Sequence, residues 1–313
     1  MQDILITAPL PPFLYDPLRA AYRCHDYYRA EDKQALLDDG RRSIRGLVQG
    51  GGTMTPTSLL DRLPQLEIIS VFGVGYDGVP VDYCKSRRIH VTNTPDVLTD
   101  DVADVAVALT LMTCRGFGRL ERFLRSGAWE ERGPELTTRL RGKHIGILGL
   151  GRIGKAIAER LRAFGAEVSY TGRKPQKVPY KYVESLKDLA KHSDFLIVAC
   201  PGGPATQHLV NAEIIASLGK KGTLINIARG SIVDEKALVE ALESGKLGGA
   251  GLDVFADEPH VPAALLEMDN VVLLPHVGSA TRETRQAMGN LCKANLDAWF
   301  GTKKTLTLIP ELA

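Results

Sequence analysis

Three short motifs carry side chains of complementary chemistry: NIARGSIVDEKAL with Arg229, GLDVFADEP with Glu258, and LLPHVGSAT with His276. Each has an ordinary reading when taken singly. An arginine is usually a surface charge, an acid before proline marks a turn, and one histidine of seven is more often structural. As a set they meet the needs of reversible carbonyl reduction. A guanidinium fixes carboxylate and carbonyl oxygens with two parallel donors. An imidazole delivers a proton to the carbonyl oxygen near neutral pH as the carbon is reduced. A carboxylate on the other ring nitrogen keeps that imidazole protonated and correctly turned, by raising its pKa.

Reduction also needs a hydride source. HIGILGLGRIGKAIAERLRAFG places Gly149, Gly151 and Gly154 in GxGxxG spacing. That hexapeptide is weak evidence in a chain with 31 glycines, but an apolar strand precedes it and an amphipathic helix follows. In that setting the glycines permit a tight turn, close approach of a pyrophosphate, and close packing of helix on strand. The commonest dinucleotide-binding turns have an acid about twenty residues further on. EVSYTGRKP instead puts Gly172, Arg173 and Lys174 there. A carboxylate at that place accepts hydrogen bonds from ribose hydroxyls and repels a phosphate. Its absence, with a planar fork of donors on Arg173 and a looser charge on Lys174, predicts NADPH (NADP+) as cofactor. The ordinary alternative is a solvated basic turn ahead of Pro175.

Positioning these groups is the work of parallel βαβ units, because short apolar runs alternate with amphipathic ones along the chain. A first series has strands near 4–7, 46–49, 67–72 and 90–91, and a second has six, near 144–149, 167–170, 194–199, 223–227, 250–253 and 271–274. Between them a long helix runs from about 101 to 113, with Thr99 and Asp100 as candidate caps. TRETRQAMGNLCKANLDAWF is helical by period and is expected to pack back on the first series, which alone has too few residues to bury its sheet. The predicted fold class is α/β: two Rossmann-like doubly wound parallel-sheet domains with a cleft between them that closes on cofactor and substrate. Residues 1–98 and 284–313 form the substrate-binding domain, and 99–283 the dinucleotide-binding domain.

Composition sets the outer limits. A chain of 313 residues, 44% hydrophobic and 24% charged, has globular proportions. A net charge of +2 without a long run of like charges argues against nucleic acid or membrane as a general partner. Cys24, Cys84, Cys114, Cys200 and Cys292 are scattered with no metal-ligand spacing, so they read as buried thiols in a reducing compartment and no metal is expected. The terminus MQDILITAPLPP is unlike a secretory signal and no apolar stretch suits a membrane span, which predicts a cytoplasmic protein.

VFGVGYDGVP, VLTDDVADVAVAL, GILGLGRIG, NIARGSIVDEKAL, GLDVFADEP and PHVGSAT, in this order and at these separations, closely resemble the D-isomer-specific 2-hydroxyacid dehydrogenases from about residue 47 to 296. Within that family, YTGRKP resembles the NADPH-linked glyoxylate/hydroxypyruvate reductase branch. The resemblance implies that Arg229 binds the substrate carboxylate and carbonyl, that His276 donates the proton, and that Glu258 holds His276. It implies that the N–H groups of Val74 and Gly75 receive the substrate carboxylate, and that Asp253 lies near the nicotinamide carboxamide. Leu150, Arg152 and Ile153 would line the pyrophosphate turn, and Cys200, Pro201, Thr206, Ile227, Ala228 and Gly278 the rest of the cofactor groove. The long helix from Asp101 would form much of a homodimer interface.

Departures from relatives narrow the reading. Formate dehydrogenases carry an amide where Glu258 stands, and many phosphoglycerate dehydrogenases have an added regulatory domain, whereas this chain ends soon after its closing helix. The glycines and Met54 of VQGGGTMT suggest a small or adaptable pocket wall, which suits glyoxylate and hydroxypyruvate as 2-oxo acid substrates. The alternatives are an NAD-linked D-lactate-type dehydrogenase and a non-catalytic nucleotide-sensing binding protein.

Overall fold

The computed structural model describes residues 1–313, which divide into two compact units: Met1–Leu98 with Thr281–Ala313, and Thr99–Ala280. The return to the first unit thus falls at Thr281 rather than at 284. Thr281 is where a side chain can start a helix, since its Oγ1 accepts from Thr284 N–H at 3.2 Å.

The first unit holds a five-stranded parallel sheet: β1 (Asp3–Ile6), β2 (Arg23–Asp26), β3 (Ile44–Gly50), β4 (Ile68–Phe72) and β5 (His90–Thr92), in the order β2-β1-β3-β4-β5. Sequence reading found four of these strands. It missed β2, whose RCHD sequence has no apolar run because it lies at the sheet edge and stays partly exposed. The inner strands read clearly because helices cover both faces; every residue of β1 and β4 is buried. Helix Arg282–Thr302 supplies one cover. It buries Met288, Cys292, Leu296 and Trp299 at helical spacing, and accepts the Ser70 hydroxyl at the Cys292 carbonyl at 2.9 Å. Its far end is tied by Trp299 Nε1–H to Glu67 at 2.9 Å.

The second unit holds a seven-stranded parallel sheet: β6 (His144–Leu148), β7 (Glu167–Thr171), β8 (Lys181–Tyr182), β9 (Phe195–Val198), β10 (Thr223–Asn226), β11 (Gly249–Leu252) and β12 (Val271–Leu273). Their order is β12-β11-β10-β9-β6-β7-β8. The six expected strands are present, and β8 is an additional two-residue edge strand too short and polar to show a period. The order reverses between β6 and β9, and in a parallel sheet of this kind the crevice at that switch point, beyond the carboxyl ends of the strands, is where ligands bind.

The long helix runs Thr99–Arg115, so Thr99 and Asp100 lie in its first turn instead of preceding it. It buries Val102, Ala103, Ala106, Val107 and Leu109. The next helix, Phe117–Arg125, buries none of its residues. Of the five free cysteines, Cys84, Cys114 and Cys292 are buried, while Cys24 and Cys200 are only partly so. No helix is long and apolar enough to cross a membrane.

Candidate active site

The predicted site residues of the second unit lie in the segments that follow the carboxyl ends of its strands. Gly149 follows β6, and with φ +97 it adopts a backbone that disfavours a side chain; a Cβ there would stand 2.7 Å from the Cys200 Cα just past β9. The turn therefore crosses the neighbouring strand end in contact with it, at the switch point. Gly154 permits the second close approach, since its Cβ would meet the Gly149 carbonyl oxygen at 2.2 Å. Gly151 differs: no protein atom lies within 4 Å of where its Cβ would be. It is also the N-cap of helix Arg152–Ala163 and offers no side chain to the first-turn N–H groups. Open space at the positive end of a helix suits a pyrophosphate.

The basic loop is fixed at both ends. Thr171 at the end of β7 accepts Gly149 N–H at 2.9 Å, and Gln176 Nε2–H donates to the Leu150 carbonyl at 2.9 Å. Between them Gly172, Arg173 and Lys174 are exposed, and a Cβ on Gly172 would meet nothing within 4 Å. The opposite wall holds Cys200, whose thiol burial pushes up to about 11, so it stays neutral at ordinary pH. Thr206 Oγ1–H donates to the Pro201 carbonyl at 2.8 Å and shapes that loop. Ile227 is buried, and Ala228 N–H donates to the Asn226 side chain at 3.1 Å.

Asn226 was not legible as a site residue, yet it is 1% exposed and sets the turn that carries Arg229. Its Nδ2–H donates to the Arg229 carbonyl at 2.9 Å. Gly230 then brings this turn against the loop after β11: a Cβ there would lie 1.9 Å from the Phe255 carbonyl carbon. This contact puts Arg229 in the neighbourhood of Glu258, whose carboxylate feels its charge.

Glu258 and His276 are joined directly, with Oε2 and Nδ1 2.7 Å apart. The second carboxylate oxygen accepts Phe255 N–H at 3.1 Å. Burial alone would raise the Glu258 carboxyl, but the His276 hydrogen bond and charge, the Phe255 N–H and the Arg229 charge outweigh it and hold the group below its ordinary value. An ionised acid on Nδ1 leaves Nε2 as the ring atom for a substrate.

Asp253 has a role the sequence did not reveal. It is 1% exposed, and its two oxygens accept Val277 N–H at 2.7 Å and Gly278 N–H at 2.8 Å. Burial raises its carboxyl against those two N–H groups. The carboxylate expected beside a nicotinamide carboxamide thus clamps the two residues that follow His276. Clamping matters because His276 has φ 53, a left-handed backbone that costs a non-glycine residue about 1–3 kcal/mol unless its surroundings enforce it.

In the first unit, Val74 and Gly75 follow β4 in a loop packed on 50–55. Cβ atoms on Gly51 and Gly78 would meet the Gly75 and Thr53 carbonyl oxygens at 3.1 and 2.2 Å. Asn93 Nδ2–H holds the Val74 carbonyl at 2.8 Å, and no hydrogen bond of this unit engages the N–H groups of Val74 and Gly75. Met54, between the buried and hydrogen-bonded Gln49 and Thr55 in sequence, stands 74% exposed.

A glycine turn at a switch point, a phosphate-ready basic loop and a carboxylate–imidazole pair on neighbouring strand ends define a nicotinamide-dinucleotide oxidoreductase. Residues 107–278 match the model of the D-isomer specific 2-hydroxyacid dehydrogenase NAD-binding domain. Glyoxylate/hydroxypyruvate reductase A of Arabidopsis thaliana is 47% identical, covering 97% of both chains. Hydroxyphenylpyruvate reductase of Plectranthus scutellarioides is likewise 47% identical over 97% of each. Among solved structures, an NADPH-dependent glyoxylate/hydroxypyruvate reductase of Sinorhizobium meliloti, in complex with NADP and malonate, superposes with TM-score 0.91 at 44% identity, covering 99% of this chain and 97% of that one. The chain belongs to the D-isomer-specific 2-hydroxyacid dehydrogenase family.

Proposed function

We propose that this chain is an NADPH-dependent reductase of small 2-oxo acids, converting glyoxylate to glycolate and hydroxypyruvate to D-glycerate. The observation that carries the chemistry is the 2.7 Å contact between Glu258 and His276 Nδ1. It fixes the ring orientation and balances the charge of the imidazolium that gives its proton from Nε2 to the carbonyl oxygen. Bound reduced nicotinamide supplies the hydride for the carbonyl carbon. Arg229 holds the substrate carboxylate and carbonyl by parallel donors, and the Val74 and Gly75 N–H groups receive the carboxylate. Asp253 keeps His276 in its constrained backbone. Gly149, Leu150, Gly151, Arg152, Ile153 and Gly154 hold the pyrophosphate, while Gly172 gives the 2′-phosphate room and Arg173 and Lys174 bind it. Cys200, Pro201, Thr206, Ile227, Ala228 and Gly278 form the remaining wall.

Steady-state kinetics with glyoxylate and hydroxypyruvate, each with NADPH and NADH, tests the reading. Turnover with higher kcat/KM for NADPH is expected. No turnover with either acid, or a preference for NADH, overturns it.

Two copies pair, in this reading, through the segment from Phe117 to Leu136. Its support is the exposure of apolar groups there: Phe117 at 45%, Leu124 at 55%, Trp129 at 63% and Leu136 at 99%. So dense an exposed apolar surface is characteristic of association sites. The reduced cofactor and a cytoplasmic setting agree with five unpaired thiols.

A further inference from the structure

The loop that carries Arg173 and Lys174 is latched to the glycine turn by a residue with no charge. Gln176 sends its Nε2–H to the Leu150 carbonyl at 2.9 Å, inside the turn itself. Its own backbone is held by Tyr170, a fully buried residue of β7. The Gln176 N–H donates to the Tyr170 hydroxyl at 2.6 Å, and that hydroxyl donates to the Gln176 carbonyl at 3.4 Å. Val178 N–H reaches the same carbonyl at 3.0 Å. On the near side, Thr171 is bonded to Gly149 N–H at 2.9 Å, and Tyr182 O–H reaches the Gly172 carbonyl at 3.2 Å. Residues 172–175 therefore span two fixed posts, both attached to the turn, while Arg173 and Lys174 stay exposed and without an acid partner.

We infer that Gln176 is a positioning residue for cofactor choice: its bond to Leu150 sets the distance between the pyrophosphate turn and the cations that meet the 2′-phosphate. A charge alone attracts a phosphate weakly in water, and discrimination grows when the loop that bears it is ordered before binding. The Leu150 bond supplies that order. NADH makes no demand on Arg173, so loosening the loop should weaken NADPH and spare NADH. This inference rests on the NADPH reading above.

The test is a cycle of Gln176→Met, which keeps length but removes the donor, with Arg173→Ala. For wild type, both single variants and the double variant, KM and kcat are measured with NADPH and with NADH. Gln176→Met alone should raise KM for NADPH by about tenfold, the effect of one ordinary hydrogen bond. Its kcat and its NADH kinetics should stay within about twofold, which also shows that it is folded. In the Arg173→Ala background, where only Lys174 remains on the loop to meet the phosphate, the same substitution should change the NADPH:NADH ratio by a smaller factor. Equal losses with both cofactors, an unchanged ratio in the single variant, or the same ratio change in both backgrounds overturns the inference. Wild type without NADPH preference instead removes the reading beneath it, and the inference falls with it.

Discussion

Asp253 clamps the peptide groups behind His276, accepting Val277 N–H and Gly278 N–H on separate oxygens at 2.7 and 2.8 Å. His276 occupies a left-handed backbone at φ 53. The buried carboxylate thus acts on the imidazole through the chain, while Glu258 acts on it through the ring. Orientation is enforced from two sides, as a proton donor requires.

Asp253→Asn replaces one acceptor oxygen by an amide N–H2 that faces a backbone N–H. One buried donor is left unsatisfied, at about 1–3 kcal/mol. The expected result is a lower denaturation midpoint and a kcat reduced by at least about tenfold, with NADPH affinity nearly unchanged. Wild-type kcat in this variant would show that the clamp does not position His276.

Gly230→Ala puts a Cβ 1.9 Å from the Phe255 carbonyl carbon, where only backbone can yield. Overpacking of this kind costs about 1–3 kcal/mol. Because the displaced segments carry Arg229 and Glu258, the KM for the 2-oxo acid should rise alongside the fall in thermal midpoint. Gly151→Ala meets open space and serves as the comparison for stability. If the two variants unfold alike, the close contact at Gly230 is not what joins these loops.

Glu258→Gln separates charge from shape. The folded chain holds the Glu258 carboxyl below its ordinary value of 4.5. Between the folded and unfolded values the unfolded chain binds more protons, so this group's contribution to stability is complete above the unfolded value. It is lost as pH falls through the folded value. Urea midpoints should therefore show a wild-type advantage over Glu258→Gln at neutral pH that shrinks in acid below 4.5. An advantage independent of pH would mean that the carboxylate charge does not contribute.

Trp129→Arg with Leu136→Asp tests self-association. Both side chains are exposed, at 63% and 99%, so the folded monomer should tolerate the change. Light scattering should give a dimer for wild type and a monomer for the double variant; a dimer in both cases moves the interface elsewhere.

Much of the fold was legible because buried parallel strands are written as apolar runs, as in IISVF of β4 and FLIV of β9. The edge strands β2 and β8 were not, since exposed edges need no such run. Arg229, Glu258 and His276 were readable as chemical types at strand ends. Gln176, Asn226 and the true engagement of Asp253 were not, because each acts on a backbone group whose position depends on folding. Asp253 reaches Gly278, and Gln176 reaches Leu150, across separations that carry no periodic signal. The exposed face of Phe117–Arg125 was hidden for a different reason: an amphipathic pattern shows that a face is apolar without showing what covers it.

His276 is the proposed proton donor in carbonyl reduction. Its most direct test is single-turnover oxidation of bound NADPH by hydroxypyruvate in wild type and His276→Ala, with NADPH affinity measured in parallel. The expected rate in the variant is lower by about 10²–10⁴-fold at unchanged affinity. A comparable rate in the variant, or a loss explained by failure to bind NADPH, contradicts it.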